Sequence, residues 1–208
     1  MHISKLHFIA ATAQQAEQAC AGGVRWVQLR VKNTPAAEWE ALARATQQVC
    51  QRYGATLIIN DNPALAQTIG ADGVHLGKED MDPTAARVLL GAAPIIGGTA
   101  NTFADIERLA AAGVNYIGLG PLRFTTTKQN LSPILGLGGY ETLLGQCWAA
   151  GLTVPVVAIG GILLSDVAAL LGVGLHGVAL SGAISHAPDP AAEAALFLDQ
   201  LHPHAINS

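Results

Sequence analysis

The chain has 208 residues, of which 50% are apolar and 12% charged, and its formal net charge is −4. This composition fits one globular domain over residues 1–208 and excludes a disordered chain. The acidic balance argues against a nucleic-acid partner, and no apolar stretch is long enough to span a membrane. Cys20, Cys50 and Cys147 form no CxxC pair, so we predict no zinc or disulfide and a reduced, cytoplasmic setting.

Eight short apolar runs alternate with longer Ala/Leu-rich segments that have helical spacing. Each run is followed by a loop containing Gly, Pro, Asn or Asp, which predicts a strand that leads into a helix. In chain order the predicted strands are Leu6–Ile9, Trp26–Arg30, Thr56–Asn60, Gly73–Leu76, Pro94–Gly97, Tyr116–Gly120, Val154–Ile159 and Gly177–Leu180.

Polar residues followed by proline mark several helix starts between these strands. Proline suits the first helical turn because its φ is already helical and it lacks an N–H that would be unpaired there. The predicted starts are Thr34-Pro35, Asn62-Pro63, Asp82-Pro83, Ser165-Asp166 and Asp189-Pro190.

Continuous apolar strands that alternate with helices predict a parallel sheet covered by helices. The fold class is therefore α/β, and eight units favour a single (β/α)8 TIM barrel. An open doubly wound sheet is the competing architecture. It usually has fewer units and a Gly-rich first crossover, which the segment AATAQQ (10–15) lacks.

In such a barrel, ligand chemistry belongs to the residues that follow each strand. The second strand ends in QLRVK, and side chains alternate along a strand, so Gln28, Arg30 and Lys32 share one face. If this face points into the barrel mouth, the two cations need anionic partners such as phosphates. The alternative is a strand that emerges into solvent, with its basic residues paired to helix carboxylates.

The third and fourth strands each lead to a carboxylate. Asp61 follows the third strand and Asp80 the fourth, and two acids at neighbouring strand ends can bind one Mg²⁺ together with phosphate oxygens. Each could instead cap a helix, but Asn62 and Asp82 are better placed to do so. His75 is predicted to point into the barrel, where a lone histidine is more often a hydrogen-bonded core residue than a catalyst.

The loop after the sixth strand contains Thr125, Thr127 and Lys128. Hydroxyl donors and one mobile charge in a loop that starts with glycine suit a phosphate. Three consecutive threonines can equally be β-prone residues with no ligand.

The seventh and eighth strands lead to glycines. Gly160, Gly161, Ser181 and Gly182 lie where barrels often bind a phosphate through backbone N–H groups. A Gly-Gly turn after a strand also occurs without a ligand.

Five ordered segments carry a resemblance: QLRVK (28–32), ND (60–61), ADGVHLGKED (71–80), GPLRFTTTK (120–128) and AIGGI (158–162). They resemble the thiamine-phosphate synthase family, whose motifs read approximately QLREK, ND, ADGVHLGQED, GPxxxTxTK and AIGGI. The resemblance runs from about residue 24 to residue 184. It implies a transferase that condenses hydroxymethylpyrimidine diphosphate with hydroxyethylthiazole phosphate and releases pyrophosphate.

The resemblance also implies roles for individual residues. Arg30, Lys32 and Lys128 are the expected catalytic cations, and Asp61 and Asp80 the expected Mg²⁺ ligands. The expected substrate-binding residues are Gln28, Asn60, His75, Thr99, Thr125, Thr127, Gly160, Gly161, Ser181 and Gly182.

The chain departs from the family pattern at several positions. Lys78 replaces a glutamine beside Asp80 and either assists the diphosphate or weakens metal binding; Val31 replaces a glutamate on the opposite strand face. Thr99 and Gly182 stand where serine is common, and the first strand differs from the family's YxxTD-like segment.

Two other functions remain open at this point. One is a thiazole tautomerase-like isomerase of the same superfamily, which needs no metal, and the other is a non-catalytic phosphate-binding barrel. The expected partners are small phosphorylated substrates, without nucleic acid or membrane, and a homodimer is left open.

Overall fold

The computed structural model describes residues 2–124 and 133–202. Eight parallel strands pair in chain order, and β8 pairs with β1 to close a barrel. The strands are β1 (Leu6–Ala10), β2 (Trp26–Leu29), β3 (Thr56–Asn60), β4 (Gly73–Leu76), β5 (Ile95–Ala100), β6 (Tyr116–Leu119), β7 (Val156–Ile159) and β8 (Gly177–Leu180). The predicted (β/α)8 barrel is confirmed, and the open sheet is excluded.

Helices follow the strands on the outside of the barrel. They are α1 (Ala13–Ala21), α2 (Ala36–Tyr53), α3 (Pro63–Ile69), α4 (Pro83–Leu90), α5 (Phe103–Ala111), α6 (Gly136–Ala149), α7 (Val167–Gly172), α8 (Gly182–Ser185) and α9 (Pro190–Leu201). None of the helices in the described residues has the length and hydrophobicity that crossing a membrane would need.

The fifth strand differs most from its sequence prediction. It was expected at Pro94–Gly97 but runs from Ile95 to Ala100. The end of the strand was not predicted because Gly98 and Thr99 interrupt the apolar run. The backbone of Gly98 nevertheless pairs with β4 and β6, and that of Thr99 pairs with β6. Thr99 therefore belongs to the barrel wall and not to a loop.

Three predicted helix caps are confirmed. The side chains of Asn62, Asp82 and Asp189 accept hydrogen bonds from backbone N–H groups in the first turns of α3, α4 and α9. These bonds satisfy N–H groups that have no partner within their own helix.

Two predicted helix starts are wrong in detail. Thr34 does not cap α2, because its hydroxyl donates to the carbonyl of Lys32 at 3.2 Å. At Ser165-Asp166 the helical turn begins one residue earlier, with a 3-10 turn at Leu164–Asp166 before α7. Asp166 caps that turn by accepting the N–H of Leu163 at 2.8 Å.

Alternating side chains divide the apolar residues into two cores. One lies between the barrel and its helices, and it includes Leu29 with Val31 packed against it. The other fills the barrel interior, and its members are Ile3, Ile9, Trp26, Ile58, Ile95, Tyr116, Val157 and Ala179. Because Leu29 and Val31 face outwards, Gln28 and Arg30 face inwards, as the sequence predicts.

Aromatic rings fill the middle of the barrel. The ring of His7 stacks on Trp26 with centroids 4.3 Å apart, and Tyr116 meets Trp26 edge-on at 5.5 Å. Burial, together with the nearby His75, lowers the pKa of His7 to about 3, so this ring packs in its neutral form. Gly97 provides the space for Tyr116, because a Cβ at Gly97 would overlap the tyrosine ring and hydroxyl.

We expect Gly97→Ala to destabilise the protein by about 1–3 kcal/mol, because the added methyl group overpacks the barrel interior. Gly145→Ala in α6 is the matched control, since a Cβ there meets nothing within 4 Å. The control should be neutral or stabilising by up to about 1 kcal/mol, because alanine favours a helix more than glycine does. Urea unfolding of both variants measures the difference, and equal stabilities would contradict the packing argument.

Candidate active site

A pocket of about 710 Å³ opens at the carboxyl ends of the strands. Its volume is typical of small-molecule sites. Every predicted site residue within the described part of the chain lines it: Gln28, Arg30, Lys32, Asn60, Asp61, His75, Asp80, Thr99, Gly160, Gly161, Ser181 and Gly182. Thr125, Thr127 and Lys128 lie outside the described residues. The structure thus gathers residues from six strand ends, while their individual roles stay predictions.

The polar floor of the pocket is built by β2 and β3. The Gln28 side-chain amide donates to Oδ1 of Asn60 at 2.7 Å, and both residues are 5% exposed. Arg30 and Lys32 follow on the same face and line the pocket towards its mouth. Arg30 is half-buried, and its placement favours an anion-binding role. Lys32 is exposed, so for this residue the solvent-exposed alternative stays open.

Two carboxylates lie at the ends of β3 and β4. Asp61 has a left-handed backbone with φ of 61°, and its N–H donates to the carbonyl of His75 at 2.8 Å. Oδ2 of Asp80 accepts the N–H of Gly77 at 2.6 Å. A side chain with φ in this region costs conformational energy, and such residues cluster at functional sites.

Asp61 and Asp80 interact directly. Desolvation, a hydrogen bond to Asp80 and repulsion from its charge raise the pKa of Asp61 well above its ordinary value, against the opposing effect of Arg30. Among the described residues there is no cluster of three or more potential His, Cys, Asp or Glu ligands. Two converging carboxylates without further protein ligands suit Mg²⁺, which commonly takes one or two carboxylates plus phosphate oxygens.

The helix-capping alternative for this pair is not supported, because Asn62 and Asp82 cap the following helices. Lys78 has a separate partner: its Nζ lies 2.6 Å from Oδ2 of Asp105 at the start of α5. The positive charge beside Asp80 is therefore paired with a carboxylate outside the proposed metal pair.

Asp105 is held strongly in its ionised form. It completes a capping box with Thr102, and it accepts backbone N–H groups of Asn101 and Thr102 at 3.0 and 2.9 Å. Partial burial opposes ionisation, but these bonds and Lys78 outweigh it and lower the pKa of Asp105 to about 2. The sequence pattern T-F-A-D (102–105) predicts such a box, but the ion pair with a residue of another loop has no sequence signal.

The loops after β6 and β7 are bound to each other. Leu122 and Arg123 donate backbone N–H groups to the carbonyls of Ile159 and Gly160, each at 3.0 Å. The Arg123 guanidinium also contacts both carboxylate oxygens of Asp166, at 2.5 and 2.6 Å. These contacts connect the two loops at one side of the pocket.

Gly160 and Gly161 both adopt positive φ, at 93° and 70°. A Cβ at Gly160 would lie 2.5 Å from Cβ of Pro121. The close approach of the two loops therefore requires glycine at position 160 for packing alone. The turn has a structural role whether or not its backbone binds a phosphate.

Several pocket residues were missed from the sequence. Ile9 of the altered first strand lines the pocket and supplies an apolar wall; strand alternation predicts its inward direction. Phe124 and Leu163 form an apolar rim and are 69% and 55% exposed, while His186 lies at the end of α8. Phe124 and Leu163 lie in loops, and His186 follows a short helix. No periodic pattern at these positions predicts the direction of a side chain.

His75 is both a hydrogen-bonded core residue and part of the pocket wall. Its Nδ1 lies 3.0 Å from the hydroxyl of Tyr116, and its Nε2 lies 2.9 Å from the hydroxyl of Thr99. The two sequence interpretations of this residue are therefore compatible.

A closed parallel barrel with a polar pocket at its carboxyl-terminal rim is the arrangement of a TIM-barrel enzyme. The model of the thiamine monophosphate synthase family matches residues 2–184. A thiamine-phosphate synthase of Bacteroides fragilis is 50% identical over 186 residues, which cover 89% of this chain and 91% of the relative. One from Phocaeicola vulgatus is 52% identical over 178 residues and 86% of each chain. The chain belongs to the thiamine monophosphate synthase family, and it is a transferase.

Solved structures agree with this assignment. A thiamine phosphate pyrophosphorylase from Pyrococcus furiosus aligns with a TM-score of 0.83 and 26% identity over 95% of both chains. A 3-hexulose-6-phosphate synthase aligns with a TM-score of 0.68 and 18% identity, over 95% of this chain and 100% of that one. The second likeness shows the fold alone.

Asp105→Asn should destabilise the protein at neutral pH by about 1 kcal/mol, because it weakens the capping box and the ion pair with Lys78. The pKa of Asp105 is depressed from 3.8 to about 2 on folding. Its contribution is therefore fully present above pH 3.8 and is lost as the pH falls through about 2. Unfolding free energies of both proteins between pH 7 and pH 2 should converge at the acid end; a difference that stays constant with pH would contradict this role.

Proposed function

We propose that the enzyme condenses hydroxymethylpyrimidine diphosphate with hydroxyethylthiazole phosphate to give thiamine phosphate and pyrophosphate. In this reaction the bond between the pyrimidine methylene carbon and the diphosphate oxygen breaks, and its electron pair leaves with pyrophosphate. The lone pair of the thiazole nitrogen then forms the new C–N bond. The observation that supports the proposal most directly is a single pocket that combines cations, converging carboxylates and glycine-lined loops.

Arg30 and Lys32 are proposed to stabilise the leaving group. Negative charge accumulates on the pyrophosphate oxygens as the C–O bond breaks, and fixed cations lower the energy of that state most when water is excluded. The bonded pair Gln28 and Asn60 forms the buried floor beneath them, where it orients the diphosphate without adding charge. Lys128 has the same proposed role as the two cations, on the basis of the motif GPLRFTTTK alone.

Asp61 and Asp80 are the proposed Mg²⁺ ligands. When bound, Mg²⁺ supplies positive charge that neutralises the departing pyrophosphate. The positive charge of Arg30 favours the ionised form of Asp61, against the desolvation and the repulsion from Asp80 that raise its pKa.

The thiazole phosphate is proposed to bind at Gly160, Gly161, Ser181 and Gly182, and Thr125 and Thr127 are proposed to contribute on the basis of the motif GPLRFTTTK alone. The contacts at the glycines would come from the backbone, because these residues lack a side-chain donor. The attacking nitrogen carries no proton, so the reaction needs no general base. Small phosphorylated partners and a cytoplasmic setting complete the proposal.

The wild-type enzyme should form thiamine phosphate from the two phosphorylated substrates only when Mg²⁺ is present. Asp61→Ala and Lys128→Ala should each lower kcat by about 10²-fold or more, because each removes charge stabilisation of the leaving group. Asp199→Ala is the control for the loss of a carboxylate, since Asp199 is an exposed residue of α9. Product formation is followed by chromatography of thiamine phosphate.

Absence of product at high enzyme concentration, with the protein folded, would overturn this proposal. Rearranged thiazole phosphate formed without a metal would instead assign the tautomerase-like isomerase activity. Binding of both phosphates without turnover would support a non-catalytic barrel.

Arg30→Gln tests the charge at the pocket wall separately from the metal. Glutamine retains hydrogen-bonding groups but not the cation, so kcat should fall by about 10²-fold. Arg44→Gln is the matched control, because Arg44 lies on α2 and its exposed ion pair with Glu40 is remote from the pocket. Similar steady-state constants for both variants would remove Arg30 from the proposed mechanism.

A further inference from the structure

Three hydrogen-bonding groups form a chain from the barrel interior to the pocket wall. The Tyr116 hydroxyl lies 3.0 Å from Nδ1 of His75, and Nε2 of His75 lies 2.9 Å from the Thr99 hydroxyl. The three residues stand on β6, β4 and β5, which are neighbouring strands. Each group can donate or accept a hydrogen bond. The direction of donation along the three groups is therefore set by the group that has the fewest other hydrogen-bond partners.

Tyr116 is the most constrained of the three. It is 1% exposed, and within the described part of the chain its hydroxyl has one polar partner, Nδ1 of His75. Burial raises the pKa of the phenol, so the hydroxyl keeps its proton. If Nδ1 were protonated, the tyrosine proton would have no acceptor, and an unsatisfied buried donor costs about 1–3 kcal/mol.

The tyrosine hydroxyl therefore donates and Nδ1 of His75 accepts. With Nδ1 as the acceptor, the imidazole is neutral and carries its proton on Nε2. That N–H points at the Thr99 hydroxyl oxygen, 2.9 Å away. The oxygen then accepts from His75, and its own proton is available in another direction.

Thr99 lines the pocket, so the free direction of its hydroxyl proton includes the ligand space. We propose that Tyr116 is a positioning residue that fixes the tautomer of His75 and makes Thr99 a hydrogen-bond donor to the substrate. The matching group on the substrate is an acceptor, such as a phosphate oxygen or an unprotonated ring nitrogen. The effect of Tyr116 on turnover rests on the proposed function, whereas the direction of the hydrogen bonds from Tyr116 to Thr99 does not.

The surroundings of Tyr116 keep this geometry fixed. Its ring packs edge-on against His7 and Trp26, with centroids 4.9 and 5.5 Å away, and it stacks on His75 at 5.5 Å. Gly97 leaves the space that the ring occupies. Tyr116→Phe retains this packing and removes only the hydroxyl.

The direct test is the tautomer of His75, measured by two-bond ¹H–¹⁵N correlation spectra of the labelled protein without ligand. In the wild type, Nδ1 should appear unprotonated and Nε2 protonated. In Tyr116→Phe, a population with protonated Nδ1 should appear. Tyr140→Phe is the matched control, because Tyr140 is also buried but its hydroxyl donates to the carbonyl of Leu119 at 2.8 Å; it should retain the wild-type spectrum of His75.

Turnover gives a second readout through a double-mutant cycle. Tyr116→Phe and Thr99→Val should each lower kcat/KM by roughly tenfold, the effect of about one lost hydrogen bond. Because both changes interrupt the same chain, the double variant should lose little more than Thr99→Val alone. A purely structural role for Tyr116 would give additive losses and leave the His75 tautomer unchanged.

A wild-type spectrum with protonated Nδ1 would overturn the proposal, whatever the activity of the variants. Unchanged tautomer populations in a folded Tyr116→Phe protein would overturn it as well. If the predicted tautomers are found but no thiamine phosphate is formed, the hydrogen-bond direction stands and the proposed function fails.

Discussion

Closure of eight short parallel strands is the constraint on which the rest of the structure depends. Closure gives every strand an inner and an outer face, and alternation assigns consecutive side chains to these faces. In β2, Trp26 fills the middle of the barrel, Gln28 forms the pocket floor, and Arg30 continues along the same face. One strand therefore supplies both the packing that holds the barrel and the polar groups above it.

This coupling explains why one side of the pocket is built from residues on strands. Gln28, Asn60, His75 and Thr99 all lie on strands, and their mutual hydrogen bonds run between strands that are already paired. Residues on strands are positioned more precisely than residues in loops, and the proposed charge stabilisation of a leaving group requires such positioning. The opposite side depends on loops, where Arg123 and Asp166 restrain the backbone around Gly161.

Most of the fold and much of the pocket could be predicted from the sequence because they follow from local rules. Apolar runs gave the strands, and the caps Asn62, Asp82 and Asp189 gave the helix starts, since both depend on neighbouring residues. The end of β5 was missed because Gly98 and Thr99 interrupt the apolar run, and Gly98 leaves space for Leu109 of α5. The pairs Lys78 with Asp105 and Tyr116 with His75 join residues 27 and 41 positions apart, and no local pattern encodes such contacts.

The difference between local patterns and contacts between distant residues also bears on the positions where the chain departs from the family motifs. Lys78 introduces a charge beside a proposed metal ligand, and from the sequence this charge either assists the diphosphate or weakens metal binding. In the structure, Asp105 accepts that charge at the start of α5, where backbone N–H groups already favour a carboxylate. The capping box therefore fixes the Asp105 carboxylate in a position where it can pair with Lys78, independently of any ligand. A substitution that conflicts with a motif can thus be compatible with the site when a neighbouring element supplies the opposite charge.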